Sequence, residues 1–67
     1  MVKKAPKTKK YIIKNPAFLD YFKEFTREGY SAWTYNIEYA KRFSTMYEAD
    51  EMANELSVVT HVEEVEE

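Results

Sequence analysis

The carboxylates are the first candidates for chemistry: Asp50-Glu51, Glu63-Glu64 and Glu66-Glu67 stand in adjacent pairs. Two converging carboxylates can share general acid and general base work when a cleft raises the pKa of one of them. Adjacent residues diverge on a helix and point to opposite faces of a strand, so no pair converges by spacing alone. His61 is the single histidine and there is no cysteine, which removes Cys-His sets and multi-histidine or thiolate metal sites. No Ser-His-Asp set can be argued from His61 beside an acidic tail. One glycine leaves no glycine-rich phosphate loop. His61 reads as a surface residue of an edge strand, and a chain of 67 residues rarely encloses a cleft. The expectation is a non-enzymatic protein with no catalytic residues, no cofactor and no metal.

Charge offers binding chemistry instead. Residues 1–14 hold six lysines (Lys3, Lys4, Lys7, Lys9, Lys10, Lys14) and no acid, residues 15–42 hold four acids and four bases, and residues 43–67 hold eight acids and no Lys or Arg. The net charge of −2 hides this division. The plain reading is a solvated lysine arm and a solvated acidic helix face. A sharper reading of the lysines is an arm that neutralises phosphates and releases counterions, so that binding falls steeply with salt. A sharper reading of the acids is a surface that docks on a basic patch of another protein and steers the encounter.

The aromatics, 16% of the chain, supply the material of a core without disulfides. Phe18, Phe22, Phe25, Trp33 and Phe43 are the expected filling of a sheet-on-helix layer. Six tyrosines cannot all be buried with satisfied hydroxyls, and exposed Tyr is an efficient interface residue. Tyr35 and Tyr39 are four apart and with Arg42 form a candidate patch, for a protein or for stacking single-stranded nucleic acid. Tyr47 joins them as a candidate partner contact beside the acidic helix face of Glu48, Asp50, Glu51 and Glu55.

These residues need elements to place them. Residues 1–9 have no apolar period and read as a flexible basic arm, residues 10–65 as one small domain, and residues 66–67 as an acidic tail. Tyr11-Ile12-Ile13, apolar on both faces and bounded by Asn15-Pro16, predicts a central strand over 10–14. Residues 16–29 carry two signatures. Asn15 as N-cap, Pro16 at the first helical position and Phe18, Phe22 and Phe25 at i, i+4, i+7 suit a helix. Strand 19–25, a Thr26-Arg27-Glu28-Gly29 turn with positive φ at Gly29, and strand 30–34 suit a hairpin. Simple alternation favours the helix slightly, because it places Asp20 and Glu24 on the face of Phe18 and Phe22. Asn36 can cap a single helical turn that brings Ile37 and Ala40 inward. Thr45 and Glu48 form a capping box for a helix over 45–56, with Met46, Ala49, Ala53 and Leu56 as its apolar stripe. Val58–Val62 begins a last strand, 58–64.

From Tyr11 to about Leu56 the order of residues resembles a loose pattern among small proteins encoded by tailed bacteriophages. The matching pieces are Tyr11-Ile12-Ile13-Lys14-Asn15, Gly29 before Trp33-Thr34, Asn36-Ile37 with Ala40-Lys41-Arg42-Phe43, and Thr45 with Glu48-Ala49. The resemblance implies a β-meander in the first half, a Trp ending a strand, and a helix after the Phe that packs across the sheet. It also implies a viral accessory protein without catalytic residues. The aromatic run from Phe18 to Phe25 departs from the pattern.

With that resemblance the expected fold is α+β: a small antiparallel β-sheet, meander plus C-terminal strand, packed against one α-helix. The alternative is two helices with a two-stranded sheet. The expected function is stoichiometric binding of a host or viral protein that is thereby modulated or inhibited. The alternative is a small nucleic-acid-binding module using the basic arm and exposed aromatics, and a third reading is a homodimer through a sheet edge or aromatic patch. No run approaches the roughly 18 apolar residues of a membrane span, and the lysine-rich start lacks the apolar core of a signal peptide, so a cytoplasmic protein in the bacterial host is expected.

Overall fold

The computed structural model describes residues 8–66. Its elements in chain order are β1 (Lys9–Asn15), β2 (Asp20–Phe25), β3 (Ser31–Thr34), a 3-10 turn (Ile37–Tyr39), α1 (Met46–Glu55) and β4 (His61–Glu66). The strands form one antiparallel sheet in the order β3-β2-β1-β4. This is the α+β meander with one helix; the two-helix alternative is excluded because 20–25 is a strand paired on both sides. β1 is central, as its doubly apolar sequence requires. It starts at Lys9 and β4 runs to Glu66, each one residue beyond the expected domain limits.

The reason the alternation rule pointed towards a helix is visible in the β2–β3 ladder. Phe22 faces Trp33, but Glu24 faces Ala32 and Phe25 faces Ser31, so the register slips between Phe22 and Glu24. This bulge turns Glu24 away from the Phe22 face and returns Phe25 to it. The two rings meet edge to face at 5.2 Å, and Phe22 meets Trp33 likewise at 5.8 Å.

β1 and β2 pair in register at Lys14 with Tyr21 and at Asn15 with Asp20. Alongside Tyr11 and Phe22 an extended segment comes in. Lys41 N–H donates to the Phe22 carbonyl at 2.9 Å, and Phe43 exchanges both backbone hydrogen bonds with Tyr11, at 2.8 and 3.0 Å. Segment 41–43 is thereby a short wedge tied to two neighbouring strands, and it delivers the Phe43 ring to the core.

The core comprises Ile13, Phe22, Phe43, Ala49 and Leu56, with Tyr11, Trp33, Met52, Ala53 and Val62 packed against it. Burial of each large apolar side chain stabilises by roughly 1.5–3 kcal/mol, which a domain this small needs. Ile12 is fully buried outside that cluster, as alternation along β1 requires.

Several expected core residues stand outside. Phe18 lies in the β1–β2 turn and is exposed, and Phe25 at the end of β2 keeps 42% of its surface in water. Ala40 is buried but Ile37 is exposed, because the 3-10 turn is too short to bury both. Met46 is exposed at the first turn of α1, and Met52 takes its place against the core. Val58 and Val59 are exposed, and β4 starts only at His61, because Leu56 must first close the core.

Candidate functional site

α1 is started by Thr45, whose hydroxyl accepts from the Glu48 N–H at 3.1 Å and donates to Glu48 Oε1 at 3.2 Å. This reciprocal contact is the expected capping box in a side-chain form. It fixes the helix relative to the wedge, because Phe43, Ser44 and Thr45 are consecutive. An open groove of about 450 Å³ lies between the two. Lys41, Arg42, Phe43 and Ser44 line one side, and Glu48, Glu51, Met52 and Glu55 line the other. The helical residues are spaced i, i+3, i+4, i+7, so they form one stripe.

The groove is a mixed surface. Phe43 and Met52 supply apolar lining and three glutamates supply negative charge along the helix wall. Among the described residues the ion pairs are Lys9–Glu64 at 3.8 Å and Lys14–Glu63 at 4.0 Å; none of the groove glutamates takes part. Lys41 Nζ stands 5.7 Å from the Phe43 ring centroid, a cation–π distance. Arg42 Nη1 donates to the Ile37 and Ala40 carbonyls, at 2.6 and 2.9 Å, closing the 3-10 turn that Asn36 opens by accepting from the Glu38 N–H.

Of the residues expected to bind a partner, the groove gathers Arg42, Glu48, Glu51 and Glu55. Asp50 is exposed on α1 and does not line it, since it is about 100° around the helix from Glu51. Tyr35, Tyr39 and Tyr47 are exposed and likewise do not line it. Lys41, Phe43, Ser44 and Met52 were missing from the expected contacts. The helical spacing of Met52 to Glu48 and Glu55 carried that information; the wedge, a tertiary feature, did not show in the sequence.

The lysines divide. Lys3, Lys4 and Lys7 lie outside the described residues. Lys9, Lys10 and Lys14 belong to β1, where Lys9 and Lys14 face the β4 acids and Lys10 stands opposite Val65. Lys14 Nζ also lies 5.9 Å from the Tyr21 ring centroid. A phosphate contacting Lys9 or Lys14 must therefore compete with a carboxylate already in place. His61 is exposed at the start of β4, one of the two edges of the sheet. Among the described residues no three His, Asp or Glu side chains converge on a metal position, and no helix is long and apolar enough to cross a membrane.

Comparison with protein-family models, with curated proteins and with solved structures returned no match.

Proposed function

We propose that this chain is a non-enzymatic binding protein that docks the groove between α1 and the wedge onto a basic surface of another protein and so modulates or inhibits it. The resemblance to small phage proteins makes that partner a host or viral protein and the site of action the cytoplasm of a bacterial host. The observation that carries the reading is the groove's helix wall, where Glu48, Glu51 and Glu55 form one stripe beside Phe43 and Met52. A Lys or Arg side chain suits both features, its stem on the apolar lining and its head on the carboxylates. Modulation would be steric and electrostatic, with the surrounding acids accelerating encounter.

The test is affinity capture from bacterial lysate with this chain carrying a tag, with and without nuclease, read by mass spectrometry. One protein enriched in both conditions, and weakened about tenfold or more by Glu51→Lys or Glu55→Lys, is the expected result. Enrichment that vanishes with nuclease would overturn it in favour of the nucleic-acid module. So would capture that is indifferent to both charge reversals and collapses with salt and on loss of residues 1–8.

A further inference from the structure

The basic and acidic ends of the chain already meet inside the fold. Lys9 and Lys14 of β1 pair with Glu64 and Glu63 of β4, which lies on one side of β1. The wedge lies on the other side, where Tyr11 and Phe43 form an antiparallel bridge. From an antiparallel bridge, the chain running back from Tyr11 and the chain running on from Phe43 leave in the same direction. Lys9 is two residues from the bridge along one path, and Thr45, the N-cap of α1, is two residues from it along the other. The start of β1 therefore comes out beside the start of α1, a helix that packs on β1.

Residues 1–7 precede that point and lie outside the described residues. They bring Lys3, Lys4 and Lys7 and no acid. The groove's helix wall brings Glu48, Glu51 and Glu55, all exposed. At the rise of an α-helix these three carboxylates are spread over about 10 Å. A stretch of seven residues spans up to roughly 23–25 Å, so the segment reaches all three from where β1 begins. The acidic wall repels phosphates, which excludes a nucleic acid or an anionic bilayer as its occupant, and it equally repels the same wall of a second copy. The lysine segment of a second copy has the right charge. It competes, however, with a segment of its own chain that a short tether holds at an effective concentration of about a millimolar.

We propose that Lys3, Lys4 and Lys7 dock in cis on Glu48, Glu51 and Glu55, so that the groove is occupied by its own chain and an outside Lys or Arg enters by displacing it. This autoinhibitory contact deepens the proposed function and rests on it for the identity of the incoming group. The pairs are exposed and individually weak, so the contact attenuates binding and is relieved by salt. Three pairs of ordinary strength together change an affinity by roughly tenfold.

Two measurements on the 67-residue chain test it. The chain has no cysteine, so Val2→Cys gives one attachment point for a nitroxide spin label. At low ionic strength the label should broaden the amide signals of Glu51 and Glu55, and the broadening should disappear with Lys3→Gln, Lys4→Gln and Lys7→Gln together, in about 1 M salt, or on adding hexaarginine as the probe. Broadening that survives the three substitutions, that falls on β4 instead, or that arises only between spin-labelled and nitrogen-15-labelled copies mixed together would overturn the proposal; the last would assign the segment to a second copy. In the second measurement the same three substitutions should tighten hexaarginine binding roughly tenfold. Lys10→Gln, Lys23→Gln and Arg27→Gln together change the net charge equally, and should tighten it at most about twofold. Equal gains from the two sets would overturn the proposal, because net charge alone would then explain both. Lysine-dependent broadening with lysate capture indifferent to Glu51→Lys and Glu55→Lys removes the proposed function and keeps the docked segment. Capture that needs those glutamates, without such broadening, removes the docked segment and keeps the proposed function.

Discussion

The two hairpins of the meander turn through the same sign of φ with opposite means. At the β2–β3 turn Thr26 N–H donates to the Tyr30 carbonyl at 2.7 Å, its own carbonyl accepts from Gly29 N–H at 2.9 Å, and its hydroxyl accepts from Tyr30 N–H at 3.1 Å. Gly29 takes the positive φ without a Cβ, and a Cβ added there would meet nothing within 4 Å. That turn is a local solution, complete within Thr26–Tyr30. At the β1–β2 turn the positive φ belongs to Leu19, and the conformation is held by the buried side chain of Asn15, which depends on the sheet around it. One hairpin is shaped by its turn residues. The other is shaped by its frame, and it displays apolar side chains that the frame does not use.

The largest effect breaks the comparison outright. Phe22 lies in β2, the strand that both hairpins share, and it is among the largest fully buried side chains. Phe22→Ala should cost about 3–5 kcal/mol, enough to unfold a domain of this size. Loss of the cooperative urea transition by circular dichroism is the expected result; a retained transition within about 1 kcal/mol would show that the hairpins stand without their common core. Next comes Asn15→Ala, which leaves the Ala17 and Phe18 N–H groups without their acceptor and should cost about 1–3 kcal/mol. In native-state hydrogen exchange the loss of protection should centre on the 16–19 turn and spare Thr26–Tyr30.

Gly29→Leu installs at the second turn what the first already carries. With open space around the new Cβ, its cost is backbone strain alone, about 1–2 kcal/mol. Paired with Leu19→Gly in one chain it should return the midpoint of denaturation close to that of the parent, since the two sites are local and add. The smallest effect is Lys14→Gln, which removes the half-exposed pair with Glu63 beside the first hairpin. It should cost at most about 1 kcal/mol, and the difference should shrink in about 1 M salt, where screening acts over roughly 3 Å.

What could be read without the fold was whatever is settled within a few residues. The Thr45–Glu48 cap, the single turn opened by Asn36, and Gly29 at its positive φ all rest on contacts three residues or fewer apart. The segment after Asn15 is different, because the same Asn15-Pro16 pair opens a helix or a turn with the same side-chain acceptor. The choice falls to β1 and β3, which flank 20–25 and need its backbone groups. The Phe18, Phe22, Phe25 spacing suits a helix face, yet the chain divides it into a turn residue, a core residue and a bulge-shifted residue at the end of β2. The acidic stripe of α1 was legible as a helix face, whereas the groove needed the wedge opposite.

The sequence by itself determined the class of this protein: a small α+β domain with a capped helix, a central apolar strand and a division of charge between its ends. Those properties follow from composition and from hydrogen bonds that close locally. Only the tertiary structure decided which aromatics are core and which are surface, that Phe43 enters beside Tyr11 to build one wall of a groove, and that Leu19 is held in a left-handed turn facing water. Each of these depends on pairing between residues distant in the chain, and the packing of the whole sheet sets their energies.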